Sequence, residues 1–291
     1  MSATARSQTL LGIGLLLGSV FVFTTNDVLS KWLTASFAIG QLLVFRSLGA
    51  FVALGPALYR GAVAGRFRRI DRPWLHVLRM LCATGEVAGF YVALTHMPLA
   101  DVILFWMSAP IFVALMANFV LRESVSAARW GAILLGFVGV VVALYEEFHA
   151  TALGASAALA GAALYAVMTV LTRVLRGSAD SVLIALPMAG TLGIGVLLAP
   201  IGWVTPSPVT GALLMLTGAI SVGGHVLMVR ALRLAPASVV MPFKYVQLVL
   251  AAFYGWLIFG DVPRPAMVAG GAVIIGAGLW LWWIERRGAR A

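Results

Sequence analysis

Two acids and two bases, Asp27, Arg46, Glu86 and Lys244, stand inside otherwise apolar stretches of the chain. Charge at membrane depth is costly, so such residues face a protein interior or a watery cavity and mark a path for a ligand or an ion. The chemistry open to this quartet is recognition. Carboxylates receive cationic groups, and a guanidinium or an ammonium receives a carboxylate. Thr24, Asp27 and Lys31 follow i, i+3, i+7 spacing and share a helix face, as do Lys244 and Gln247. Asn26 lies beside Asp27.

At 1.5 Å per helical residue, Asp27 falls roughly 8 Å below the outer boundary, Arg46 and Glu86 roughly 14 to 15 Å below it, and Lys244 in the inner half. An Asp27, Arg46, Glu86 network is therefore geometrically open. If Asp27 occupies Arg46, Glu86 lacks a fixed counter-ion and could carry a proton. Aromatic residues on the same stretches, among them Phe90, Tyr91, Phe105, Trp106, Tyr165, Phe243, Tyr245 and Tyr254, could stack on a planar or cationic organic ligand. The expected site is Asn26, Asp27, Arg46, Glu86, Tyr91, Trp106, Lys244, Tyr245 and Gln247.

Catalytic alternatives are poorer. Ser221 and His225 are four residues apart and could touch on one helix face, but no oxyanion-forming motif or third residue accompanies them. The four histidines show no metal-ligand spacing, and no glycine-rich phosphate loop is present, so neither a metal nor a cofactor is expected. The single Cys82 allows no internal disulfide.

The elements that must position the quartet are membrane helices. The 291 residues are 62% hydrophobic and 10% charged, and apolar runs of helical spanning length recur along the whole chain. The spans are read at residues 10–33, 37–59, 74–96, 98–121, 127–146, 151–173, 180–200, 208–230, 236–259 and 265–284. The first is a retained span, not a cleaved signal peptide. The fold class is thus an all-α polytopic membrane protein of ten helices. The net charge of +10 sits at span ends, which argues for topology signals and against nucleic-acid binding. With the N-terminus in the cytoplasm, sixteen arginines fall inside, and only Lys31 and Arg264 fall outside, so both termini are cytoplasmic.

The chain also repeats. A shift of 138 residues aligns Gly85 with Gly223, Ala93 with Ala231, Pro98 with Pro236, Phe105 with Phe243 and Glu123 with Asp261. Two five-span halves, residues 8–146 and 151–285, would then enter the membrane in opposite directions, as in secondary transporters with a midplane site. Trp106 and Ala109 stand where the second half carries Lys244 and Gln247, so that charge is no repeat-wide packing device. Gly14 with Gly18 and Gly85 with Gly89 have the spacing of close helix contacts, and Pro110, Pro187 and Pro242 can kink their spans.

Several segments carry a family resemblance. They are Asn26 to Leu33, Phe45-Arg46, Arg72 to Arg79, Arg129-Trp130 followed by Gly136 to Val140, and Pro242-Phe243-Lys244-Tyr245. The chain resembles the drug/metabolite transporter superfamily with two EamA-type domains, most closely its S-adenosylmethionine uptake branch and more distantly its riboflavin transporters and amino-acid exporters. The resemblance implies ten helices in two inverted repeats that rock around a central cavity in a bacterial inner membrane. It implies a small-molecule substrate, with membrane lipid as surroundings and a homodimer as one assembly open to the chain. The expected function is secondary transport with S-adenosylmethionine as the leading substrate. A riboflavin importer, an exporter, a Ser221-His225 hydrolase and an inert assembly subunit are the alternatives.

Overall fold

Hydrocarbon offers the backbone no hydrogen-bond partner, so a spanning segment must satisfy itself as a helix. The computed structural model describes residues 3–34, 36–63, 71–94, 96, 99–123, 125–145, 151–260, 262 and 264–287. Among them there is no strand. The first three spans are α1 (Ala3–Thr34), α2 (Ile39–Val63) and α3 (Pro73–Leu94). The fourth is divided into α4 (Leu99–Trp106) and α5 (Ala109–Val120). Next come α6 (Ala127–Leu144), α7 (Ala152–Val174), α8 (Asp180–Leu198) and α9 (Pro208–Leu234). The ninth span joins α10 (Ala237–Val240), a tight 3-10 turn at Met241–Tyr245, α11 (Val246–Tyr254) and a wide turn at Gly255–Phe259, and α12 (Pro265–Arg287) is the tenth. Among the described residues nine helical segments are long and apolar enough to cross a membrane. Helix α3 has the length, 22 residues, and carries the polar His76, Arg79 and Glu86.

Helix starts follow local chemistry. Ser126, Thr151 and Ser207 stand at the N-caps of α6, α7 and α9, and each side-chain oxygen accepts from a backbone N–H three residues on. Helix α9 stops at Ala235, whose extended backbone suits the residue before Pro236.

The two sequence halves interleave. Helix α1 packs along α9, α2 lies against both α8 and α9, α3 against α7 and α8, and α6 against α12. These are the principal helix interfaces, and all join one half to the other. At the α2–α9 crossing a Cβ on Gly218 would collide with the backbone carbonyl of Arg46, and one on Gly49 with that of Met215. Gly89 meets α7 at Ala157 and Gly161, whereas a Cβ on Gly14 would meet nothing within 4 Å.

The prolines resolve into different roles. Pro110 sits in the first turn of α5, where its missing donor costs nothing. Pro242 lies in the 3-10 turn. Pro187 is inside α8 and deprives the Leu183 carbonyl of its usual donor. The buried Arg79 supplies that donor through Nη1, while its Nε donates to Thr172 Oγ1 at 2.7 Å. The α8 backbone before Pro187 is therefore tied to α3 and α7.

At the arginine-rich end of the bundle, a second set of contacts ties the ninth span down. Arg122 has a left-handed backbone (φ 53), so the chain turns sharply after α5. Glu123 then reaches α10, where it accepts from Ala237 N at 3.3 Å, Ser238 N at 3.2 Å and Ser238 Oγ at 2.9 Å. Arg173 stands 3.6 Å from Glu123 and donates to the carbonyls of Leu232 and Arg233, which end α9. The acid satisfies a helix start and the base a helix end, which is the favourable sense for both.

Candidate functional site

Helix α1 brings Asp27 and Asn26 to the interior, α2 brings Arg46, α3 brings Glu86, and the interrupted ninth span brings Lys244 and Gln247. Gln247 Nε2 donates to Asp27 Oδ2 at 3.1 Å. The charges of Arg46 and Lys244 both act on Asp27 and on Glu86, so the four residues share one neighbourhood. Asp27 is exposed, and Arg46, Glu86, Lys244 and Gln247 are partly exposed. The four charged residues thus keep accessible surface while acting on one another electrostatically.

The Asp27–Arg46 ion pair that the residue depths left open does not form. Among the described residues Asp27 bonds Gln247, Arg46 Nε is buried without a partner, and Glu86 has no hydrogen bond or ion pair. Among the described residues no acid stands at contact distance from Lys244. Its ammonium sits over the ring of Tyr165, 3.6 Å from the centroid, and the Tyr165 hydroxyl donates to Met228 Sδ at 3.7 Å. No direct ion pair joins these four charges. Asn26 is fully buried, and both of its amide heavy atoms lack a partner.

Tyr245 stands apart from the other expected site residues: it is 2% exposed and packs with Met107, Val140, Leu248 and Ile274. Trp106 is partly buried with its edge against Phe90 (centroids 5.3 Å apart) and its ring where a Cβ on Gly161 would lie, a contact that joins α3, α4 and α7. The Tyr91 side chain lies outside the described residues. The hydrolase pair is also undone. Ser221 Oγ donates to the Gly218 carbonyl at 2.7 Å, and His225 Nδ1 lies 2.8 Å from the Ser221 carbonyl, so the hydroxyl proton and Nδ1 both turn to α9's own backbone and not to each other.

The residues that sequence reasoning left unconnected are Tyr165, as the seat of Lys244, and the Thr25 and Tyr254 hydroxyls, which meet at 2.8 Å between α1 and α11. Periodicity along one helix carries no signal for either contact, because both partners lie on separate spans.

The whole-chain fold is shared with a solved structure at TM-score 0.80, covering 97% of this chain and 98% of that chain at 20% identity. The profile of the EamA-like transporter family matches residues 10–145 and 152–283. The chain belongs to the EamA-like transporter family. Three relatives of this EamA-like chain bear on its chemistry. A riboflavin transporter of Rhizobium johnstonii is 29% identical, spanning 99% of this chain and 96% of that protein. An S-adenosylmethionine uptake transporter of Rickettsia felis is 28% identical over 97% and 96%. A pseudopaline exporter of Pseudomonas aeruginosa is 28% identical over 91% and 93%. The EamA-like chain is a multi-pass transporter for a small molecule, not an enzyme.

Proposed function

We propose that this EamA-like protein moves a small zwitterionic metabolite across a bacterial inner membrane by alternating access, with S-adenosylmethionine as the leading substrate. The observation that carries the reading is the charge arrangement: two acids and two bases act on one another, and no direct ion pair joins them. A substrate with cationic and anionic ends would complete both pairs. Asp27 and Glu86 receive the ammonium or sulfonium, and Arg46 and Lys244 receive the carboxylate. A neutral substrate would leave those groups uncompensated, which weighs against the flavin reading that the Rhizobium johnstonii relative's name supports. Both termini are cytoplasmic in this proposal, and residues 8–146 and 151–285 form the two inverted repeats.

The test is uptake of labelled S-adenosylmethionine into proteoliposomes, for the wild type and for Asp27→Asn, Glu86→Gln and Lys244→Gln, with riboflavin as competitor. Saturable uptake that falls at least about tenfold in each variant is expected, the scale of one lost charge-assisted contact. Equal kinetics in all four proteins would remove the charged site from the mechanism, and competition by riboflavin alone would select the flavin reading.

A further inference from the structure

The placement of Lys244 has a chemical peculiarity that the transport reading does not use. A lysine ammonium carries three donors and is strongly hydrated, so inside a bundle it is ordinarily met by a carboxylate or by carbonyls. Here it is met by a ring face. Among the described residues Lys244 has no hydrogen bond and no ion pair, only the Tyr165 ring at 3.6 Å. The ring is fixed from behind, since Tyr165 is 7% exposed, lies in the apolar cluster with Ala162, Ala166 and Met228, and spends its hydroxyl on Met228. The backbone under Lys244 is a 3-10 turn between two short helices, a place where regular helical hydrogen bonding is already given up.

We propose that the Tyr165 face is an organic-cation subsite, and that in the empty transporter Lys244 occupies it as a tethered stand-in which an incoming quaternary ammonium or sulfonium displaces. The inference rests on the same cavity being the substrate site. It adds which surface takes the onium group and what leaves to make room. A ring face attracts a soft, weakly hydrated cation without demanding hydrogen bonds, which onium groups lack and a lysine ammonium wants. Displacement also has somewhere to go. The freed ammonium stays within electrostatic reach of Asp27 and Glu86 and moves to the carboxylate of the same substrate. The two acids and two bases together select for a ligand that brings both signs.

The experiment reads binding in detergent and needs no transported substrate. Choline is the probe, and 3,3-dimethylbutan-1-ol, its uncharged isostere, is the control. Lys244→Ala is expected to bind choline at least about tenfold more tightly than the wild type, with no gain for the isostere. Lys244→Ala combined with Tyr165→Phe should keep the gain, and combined with Tyr165→Leu should lose it. Lys244→Arg, whose guanidinium also stacks on a ring, should exclude choline as the wild type does. An equal gain with Leu at position 165 would mean that the carboxylates alone bind the probe, and an equal gain for the isostere would mean a mere apolar hole. Either result, or no gain at all, overturns the proposal.

A second measurement uses the unaltered protein. The chain has two lysines, Lys31 and Lys244. Saturating choline should raise acylation of Lys244 relative to Lys31 by a few-fold, read by peptide mass spectrometry, and an unchanged or lower ratio refutes displacement. Because none of these readouts is transport, the subsite can stand if S-adenosylmethionine proves not to be carried, and it can fall while transport holds.

Discussion

Removing the Glu123 carboxylate should loosen the whole ninth span. Glu123→Ala orphans two backbone donors, Ala237 N and Ser238 N, together with the Ser238 hydroxyl, and it leaves Arg173 with only the α9 carbonyls. A hydrogen bond to a charged group is worth about 1.5 to 3 kcal/mol when buried. The two backbone bonds, at 3.3 and 3.2 Å, belong at the low end of that range. The Glu123 and Arg173 side chains are 14% and 13% exposed, so water recovers part of the loss and the ion pair itself adds only about 1 kcal/mol. The sum is about 3 to 4 kcal/mol. For a chain of this length that corresponds to a fall of about 6 to 8 °C in the thermal midpoint. Glu123→Gln keeps one acceptor oxygen and should lose roughly half as much. Unfolding followed by tryptophan fluorescence in a single detergent measures both variants, and Glu123→Ala combined with Arg173→Met tests their coupling. A Glu123→Ala midpoint within one degree of the wild type, or strict additivity in the double variant, would refute this account of the corner between α9 and α10.

Three further outcomes follow from the packing. Arg79→Leu should cost about 2 to 4 kcal/mol because the Leu183 carbonyl is then left open by Pro187, and Pro187→Ala should recover part of it by restoring the helical donor; additive losses in chemical denaturation would contradict this. Gly218→Ala should destabilise by about 1 to 3 kcal/mol or more, since its Cβ would meet the Arg46 carbonyl, whereas Gly14→Ala, with nothing within 4 Å, should change the thermal midpoint by less than about a degree. Tyr245→Phe removes a buried hydroxyl that has no partner, so stability should hold or rise and substrate uptake should be unchanged; a loss of uptake without a loss of fold would return Tyr245 to the site.

The sequence by itself determined the class and the spans, and it predicts the side of each loop. Those features depend on the length of an apolar run and on where arginines lie, which are properties of one segment at a time. The broken fourth span was legible only in part. Its interruption at residues 107 and 108 falls on 245 and 246 under the 138-residue shift, where the 3-10 turn of the ninth span passes into α11. The four charges were also legible, because charge at depth is conspicuous in any single span.

Their partners were decided by tertiary structure alone. Asp27 chose Gln247 and not Arg46, Lys244 chose a ring on α7, and Arg79 chose a carbonyl that a proline on α8 had freed. Each choice depends on which helices are neighbours and how deep they cross. In this chain the halves interleave, with close approaches at Gly218 and Gly89 that bring α2 onto α9 and α3 onto α7. A helix's own periodicity says which face is polar. Only the packing of the faces decides what that polarity meets.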